Sequence, residues 1–80
     1  MIDTVKQKPV QVRAFEKGPP IIALPFRQLP DLERILNSRQ IEYEVDEETI
    51  SLDGKPERIY VTLKRGTDPR MVQELLDGAP

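Results

Sequence analysis

The chain has neither cysteine nor histidine among its 80 residues. That removes disulfide frameworks, thiolate nucleophiles, zinc fingers, haem attachment and every histidine-based triad. It also leaves no redox trace of the compartment, so the cytoplasm is the default expectation. No long hydrophobic run occurs: the longest, Ile21 to Leu24, is four residues, whereas a membrane span needs roughly 20. The first residues, Met1 to Lys6, contain an early acid and lead into no apolar stretch, unlike a signal peptide. Charge of one sign is lacking too. Twelve Lys and Arg face fourteen Asp and Glu, a net of −2. Such a total gives no general attraction to phosphate backbones or anionic lipid. Nucleic acid and membrane are therefore not expected partners. Glycine is absent between Gly18 and Gly54.

What is present is punctuation and alternation. At this length one domain is expected, over residues 9–80, after a flexible tail at 1–8. Pro9 precedes Val10 to Phe15, where Val10, Val12 and Ala14 share one face. This predicts a first strand. Ile21-Ile22-Ala23-Leu24 lies between Pro20 and Pro25. Prolines at both ends keep it out of the middle of a sheet, so it reads as an edge strand or a buried connector.

A helix is predicted from Leu29 or Pro30 to Ser38. Pro30 suits the first turn, and Asp31 and Glu33 suit that end of the dipole. Leu29, Leu32, Ile35 and Leu36 make its apolar stripe. Ile41 to Asp46 then alternates, with Ile41, Tyr43 and Val45 inward. Asp46-Glu47-Glu48 reads as a turn, Thr49 to Leu52 as a short strand and Asp53-Gly54 as a hairpin turn. Ile59 to Lys64 is the last strand, with Ile59, Val61 and Leu63 inward. Gly66 breaks it. Asp68 is the N-cap of a second helix, Pro69 its first residue and Gly78 its C-cap. Met71, Val72, Leu75 and Leu76 form its stripe, and Gln73 falls on the outer face.

Helices with one apolar stripe must cover one face of a sheet. The predicted fold class is α+β, a two-layer sandwich with a small, mainly antiparallel sheet, in the order βαβ(β)βα. That order resembles a ferredoxin-like fold lacking its last strand. The helix and hairpin from Leu29 to Leu52 resemble the αββ element of ring-building motifs in bacterial secretion proteins, and part of ACT-like regulatory domains. These resemblances rest on pattern, so they imply no functional residue.

Four features bear on function. The first is the acidic run Glu42, Glu44, Asp46, Glu47 and Glu48. Residues 1–40 carry seven basic and four acidic groups, a net of +3; residues 41–80 carry five and ten, a net of −5. A calcium loop needs six to eight converging oxygens and a glycine turn. Strand alternation spreads these acids instead, so no metal site is expected and a solvated strand face is. Arg58 and Lys64 on the last strand are their expected cross-strand partners.

The second feature is Lys64-Arg65-Gly66-Thr67, which enters a helix N-terminus and is a weak anion-site candidate. Capping by Asp68 opposes it. The third is the proline-flanked connector. There Ile21, Ile22, Leu24, Phe26 and Arg27 are candidate interface residues, since aromatics and Arg are enriched at hot spots. The fourth concerns catalysis. Ser38, Ser51, Tyr60 and Thr62 have no histidine base, so no catalytic residue, enzyme activity or cofactor is expected.

The small core and a sheet without a closing strand predict self-association. The expected function is a small, non-enzymatic protein–protein interaction or assembly module, acting as a homo-oligomer. The alternative is an ACT-like domain that senses a small ligand at a dimer interface.

Overall fold

A computed structural model describes residues 1–46 and 58–79. It is α+β. Two short strands, β1 (Ile2–Asp3) and β2 (Lys8–Pro9), form an antiparallel ribbon. A hairpin of β3 (Val12–Phe15) and β4 (Gly18–Pro25) follows. A 3-10 turn over Phe26–Gln28 leads into α1 (Leu29–Ser38). Then come β5 (Tyr43–Asp46), β6 (Arg58–Leu63) and α2 (Pro69–Asp77). The main sheet has the order β3-β4-β6-β5, antiparallel throughout.

Helix α1 spans the predicted residues, with its proline in the first turn. It ends through a residue the sequence reading passed over. Gln40 adopts a left-handed backbone, φ 57°. Its N–H donates to the Asn37 carbonyl at 3.1 Å, and the Ile41 N–H donates to the Leu36 carbonyl at 2.9 Å. This is the paired pattern of a Schellman cap, a place normally taken by glycine. Helix α2 starts as predicted: the Asp68 carboxylate accepts from the Arg70 N–H at 3.0 Å, and Pro69 follows.

The core lies between the helices and one face of the sheet. Ile22 and Leu24 from β4 and Ile59, Val61 and Leu63 from β6 are buried there with Leu32, Leu36, Val72 and Leu76. Alternation explains the strand set, and spacing of four explains the helical pairs. The α2 stripe is narrower than predicted. Met71 is 41% exposed, because Val72 and Leu76 are centred on the sheet and Met71 is rotated away from it.

Two further expectations are corrected. The Ile21–Leu24 segment is neither an edge strand nor a connector. It lies in an interior strand, with β3 on one side and β6 on the other. Its prolines stand at the margins of that pairing: registered partners on β6 run only from Ile21 to Pro25, so Pro19 and Pro20 precede them. The strand over 10–15 is shorter than predicted. A register shift between Arg13 and Phe15 breaks the alternation, and Ala14 is exposed instead of sharing the core with Val10. The predicted turn at Asp46-Glu47-Glu48, strand at Thr49–Leu52 and hairpin at Asp53-Gly54 lie wholly or partly outside the described residues.

Residues 1–8, read as a tail, are packed onto the domain. Met1 and Val10 are buried in the core cluster, and Asp3 is only 3% exposed. Apolar anchors are few here, so the periodicity of the sequence does not reveal the docking. Polar side chains supply most of it. Among the described residues, no helix is long and apolar enough to cross a membrane.

Candidate functional site

The ribbon β1–β2 is held at the end of the sheet where β4 leaves and β6 begins. Gln28, in the 3-10 turn after β4, donates from Nε2 to the Ile2 carbonyl at 2.6 Å. Its Oε1 accepts from the Thr4 N–H at 3.0 Å. Gln73 on α2 repeats the arrangement. Its Oε1 accepts from the Val12 N–H at 2.8 Å, and its Nε2 donates to the Val10 carbonyl at 3.0 Å. In both cases one side-chain amide joins the carbonyl of residue i to the N–H of residue i+2. A primary amide has one acceptor and a pair of donor hydrogens, so it can serve backbone as a neighbouring strand would. The outer-face placement of Gln73 read from sequence is thus corrected: the residue is half-buried and tied to the start of β3. The terminal nitrogen of Met1 donates to the Leu76 and Ala79 carbonyls.

Asp3 is the polar centre of the ribbon. Its Oδ1 accepts from the Val5 and Lys6 N–H groups at 2.9 and 3.0 Å. Its Oδ2 accepts from Arg58 Nη2 at 3.0 Å. Burial alone would push the carboxyl pKa up. The Lys6 amide, the Arg58 guanidinium and the Val5 amide outweigh it and hold the group below its ordinary value. Asp3 is therefore a carboxylate at neutral pH. Among the described residues, Arg58 Nη1 is buried and has no hydrogen-bond partner.

A recess of about 250 Å³ lies between ribbon and sheet. Asp3, Lys6, Lys8, Arg13, Ala23 and Arg58 are among its lining residues. Four of those six are cations. None of Lys6, Lys8 and Arg13 was singled out from the sequence. The signal that could have found them is the +3 charge of residues 1–40.

The predicted site residues are distributed as follows. Ile22 and Leu24 are fully buried in the chain's own core. Phe26 is 47% exposed, Arg27 is exposed and Ile21 is half-buried, so the five interface candidates do not share one surface. Lys64 and Arg65 line a recess of about 520 Å³ together with Glu42 and Glu44. There Lys64 Nζ is 3.1 Å from Glu42 Oε2, and Arg65 donates to the Lys17 carbonyl at 3.3 Å. Gly66 takes a left-handed φ of 94°, and the Thr67 N–H closes a turn onto the Lys64 carbonyl. This cation pair thus lies beside acids.

Glu44 and Asp46 are exposed on β5, and Glu42 is exposed just before it. Lys64 pairs with that strand as predicted. Arg58 does not: the ribbon brings Asp3 to it first. Among the described residues, no three acidic side chains converge as a metal centre.

The face of the sheet opposite the helices carries Ile21 and Ala23 of β4, half-buried, and Tyr60 of β6, 44% exposed. Ala23 and Tyr60 are direct cross-strand partners, and Asp46 stands beyond Tyr60 on β5. Tyr43, on the helix side, donates to Glu33 on α1 at 2.9 Å. Burial and that neighbouring carboxylate raise the phenol pKa.

Comparison of the chain with protein-family models, with curated proteins and with solved structures gives no match.

Proposed function

We propose that the protein is a small non-enzymatic interaction or assembly module that associates with itself through its sheet. The observation that carries this reading is the second sheet face, where Tyr60 stands 44% exposed beside Ala23 and near Ile21. A surface aromatic with aliphatic neighbours has the composition of an interface anchor. The order β4-β6-β5, with α1 and α2 on one face, supports a ferredoxin-like reading. In that reading β3 takes the edge where a ferredoxin-like fold has its last strand, and reaches it from the N-terminal side.

Sedimentation at micromolar concentration tests the proposal. The expected result is a species larger than the 9.2 kDa chain. Tyr60→Lys, which faces Asp46 and keeps β6 soluble, should shift that species to monomer with an unchanged circular dichroism spectrum. A wild-type chain that stays monomeric at every concentration overturns the reading.

A further inference from the structure

The recess under the ribbon combines three properties that its structural role does not require. Lys6, Lys8, Arg13 and Arg58 line it against one acid, Asp3. Asp3 is already committed to two backbone amides and to one nitrogen of Arg58. Among the described residues, no ion pair neutralises Lys6, Lys8 or Arg13. Among the described residues, Arg58 Nη1 has no hydrogen-bond partner, so the guanidinium keeps donor capacity beyond its bond to Asp3.

We propose that this recess binds a small phosphate-bearing anion. Guanidinium groups match phosphate oxygens with paired donors, and lysines add point charges around them. A volume of about 250 Å³ lies just below the ~300 Å³ lower end of small-molecule pockets, which suits one compact anion rather than a large cofactor. Asp3 is the positioning residue: its bond to Nη2 holds the Arg58 side chain at the wall of the recess. The recess shares Ala23 with the sheet face around Tyr60, but its argument uses only the ribbon's cations and Arg58, so it does not rest on the interaction-module reading.

The test is a titration of ¹⁵N-labelled protein with inorganic phosphate and with glycerol phosphate, at ionic strength held constant with sodium chloride. Saturable shifts are expected at the amides of Lys6, Lys8, Arg13 and Arg58 and at the Arg58 Nε–H. Tighter binding of glycerol phosphate than of inorganic phosphate would identify an ester as the preferred form; the reverse order would identify the free anion. Lys8→Gln and Arg13→Gln remove exposed cations and leave the core intact. Each should weaken binding on the order of fivefold. Arg34→Gln, on an exposed face of α1, should leave affinity unchanged. Shifts that rise linearly without saturation overturn the proposal. So does equal binding by wild type, Lys8→Gln and Arg13→Gln.

Discussion

The two ends of the domain are attached by different forces. Helix α2 docks through an apolar pair, Val72 and Leu76, each fully buried, after a cap of Asp68 and Pro69. The ribbon β1–β2 docks through the Gln28 amide and the Asp3–Arg58 ion pair, and Gln73 ties the residues just after the ribbon to α2. An apolar stripe repeats with the helix period and needs no specific partner. A polar clamp has no period, and each of its atoms needs one partner at one distance. The C-terminal end should therefore tolerate conservative change in shape and fail on loss of volume. The N-terminal end should fail on loss of a single hydrogen-bonding atom.

The largest effect should come from the apolar end. Leu76→Ala opens a cavity beneath α2 and is expected to cost about 2–5 kcal/mol, most of the stability of a domain this small. Met71→Ala, on the same helix but exposed, should stay within about 0.5 kcal/mol. Urea denaturation of the two variants measures the difference. Equal midpoints would show that α2 is not packed as described.

The ion-paired centre of the ribbon comes next. Asp3→Asn removes the charge that Arg58 and two amides face, and should cost about 1.5–3 kcal/mol at pH 7. The sign of its pH dependence follows from the lowered folded pKa of Asp3. Ionised Asp3 stabilises the fold above its unfolded pKa, near 4, and that contribution disappears as pH falls through the folded value. The gap between wild type and Asp3→Asn should thus be full at neutral pH and close below about pH 4. A gap that does not change between pH 7 and pH 3 would remove the carboxylate from the account.

Gln73→Ala should have the smallest effect of the three clamp and core changes, about 1–2 kcal/mol, by leaving the Val12 N–H and Val10 carbonyl without their partner. Amide hydrogen exchange sharpens the point, since Val12 should lose protection while Val72 keeps it. Gln73→Glu restores the acceptor for Val12 but not the donor for Val10. It should recover protection at Val12 alone.

This contrast also sets what could be read from the residues. Both helices were legible, because Leu32 and Leu36, or Val72 and Leu76, recur at one spacing and Pro30, Asp68 and Pro69 mark the starts. The inward set of β6 was legible by alternation. The interior position of β4 was not, because Pro19, Pro20 and Pro25 argue for an edge until the register shows them at the margins of pairing. Docking of residues 1–8 was hidden because Gln28, Gln73 and Arg58 look like ordinary surface residues in a linear string. The α1 terminator was hidden for a similar reason, since glutamine is not a usual left-handed cap. Of the candidate site, only the excess positive charge of the first half was visible; its gathering around Asp3 depends on β1 and β6 meeting across 55 residues of chain.

The Gln73 clamp bears on how many chains a sheet can recruit. An exposed strand flank is a template for the next copy, and a sheet with two such flanks can grow without limit. Here the outer side of β3 is blunted twice, by the glutamine amide that occupies the Val12 N–H and by the register break between Arg13 and Phe15. Strand addition along β3 is opposed by both features. In this arrangement a side chain on a helix occupies a strand edge, and the geometry that secures the N-terminal segment also denies that edge to another strand.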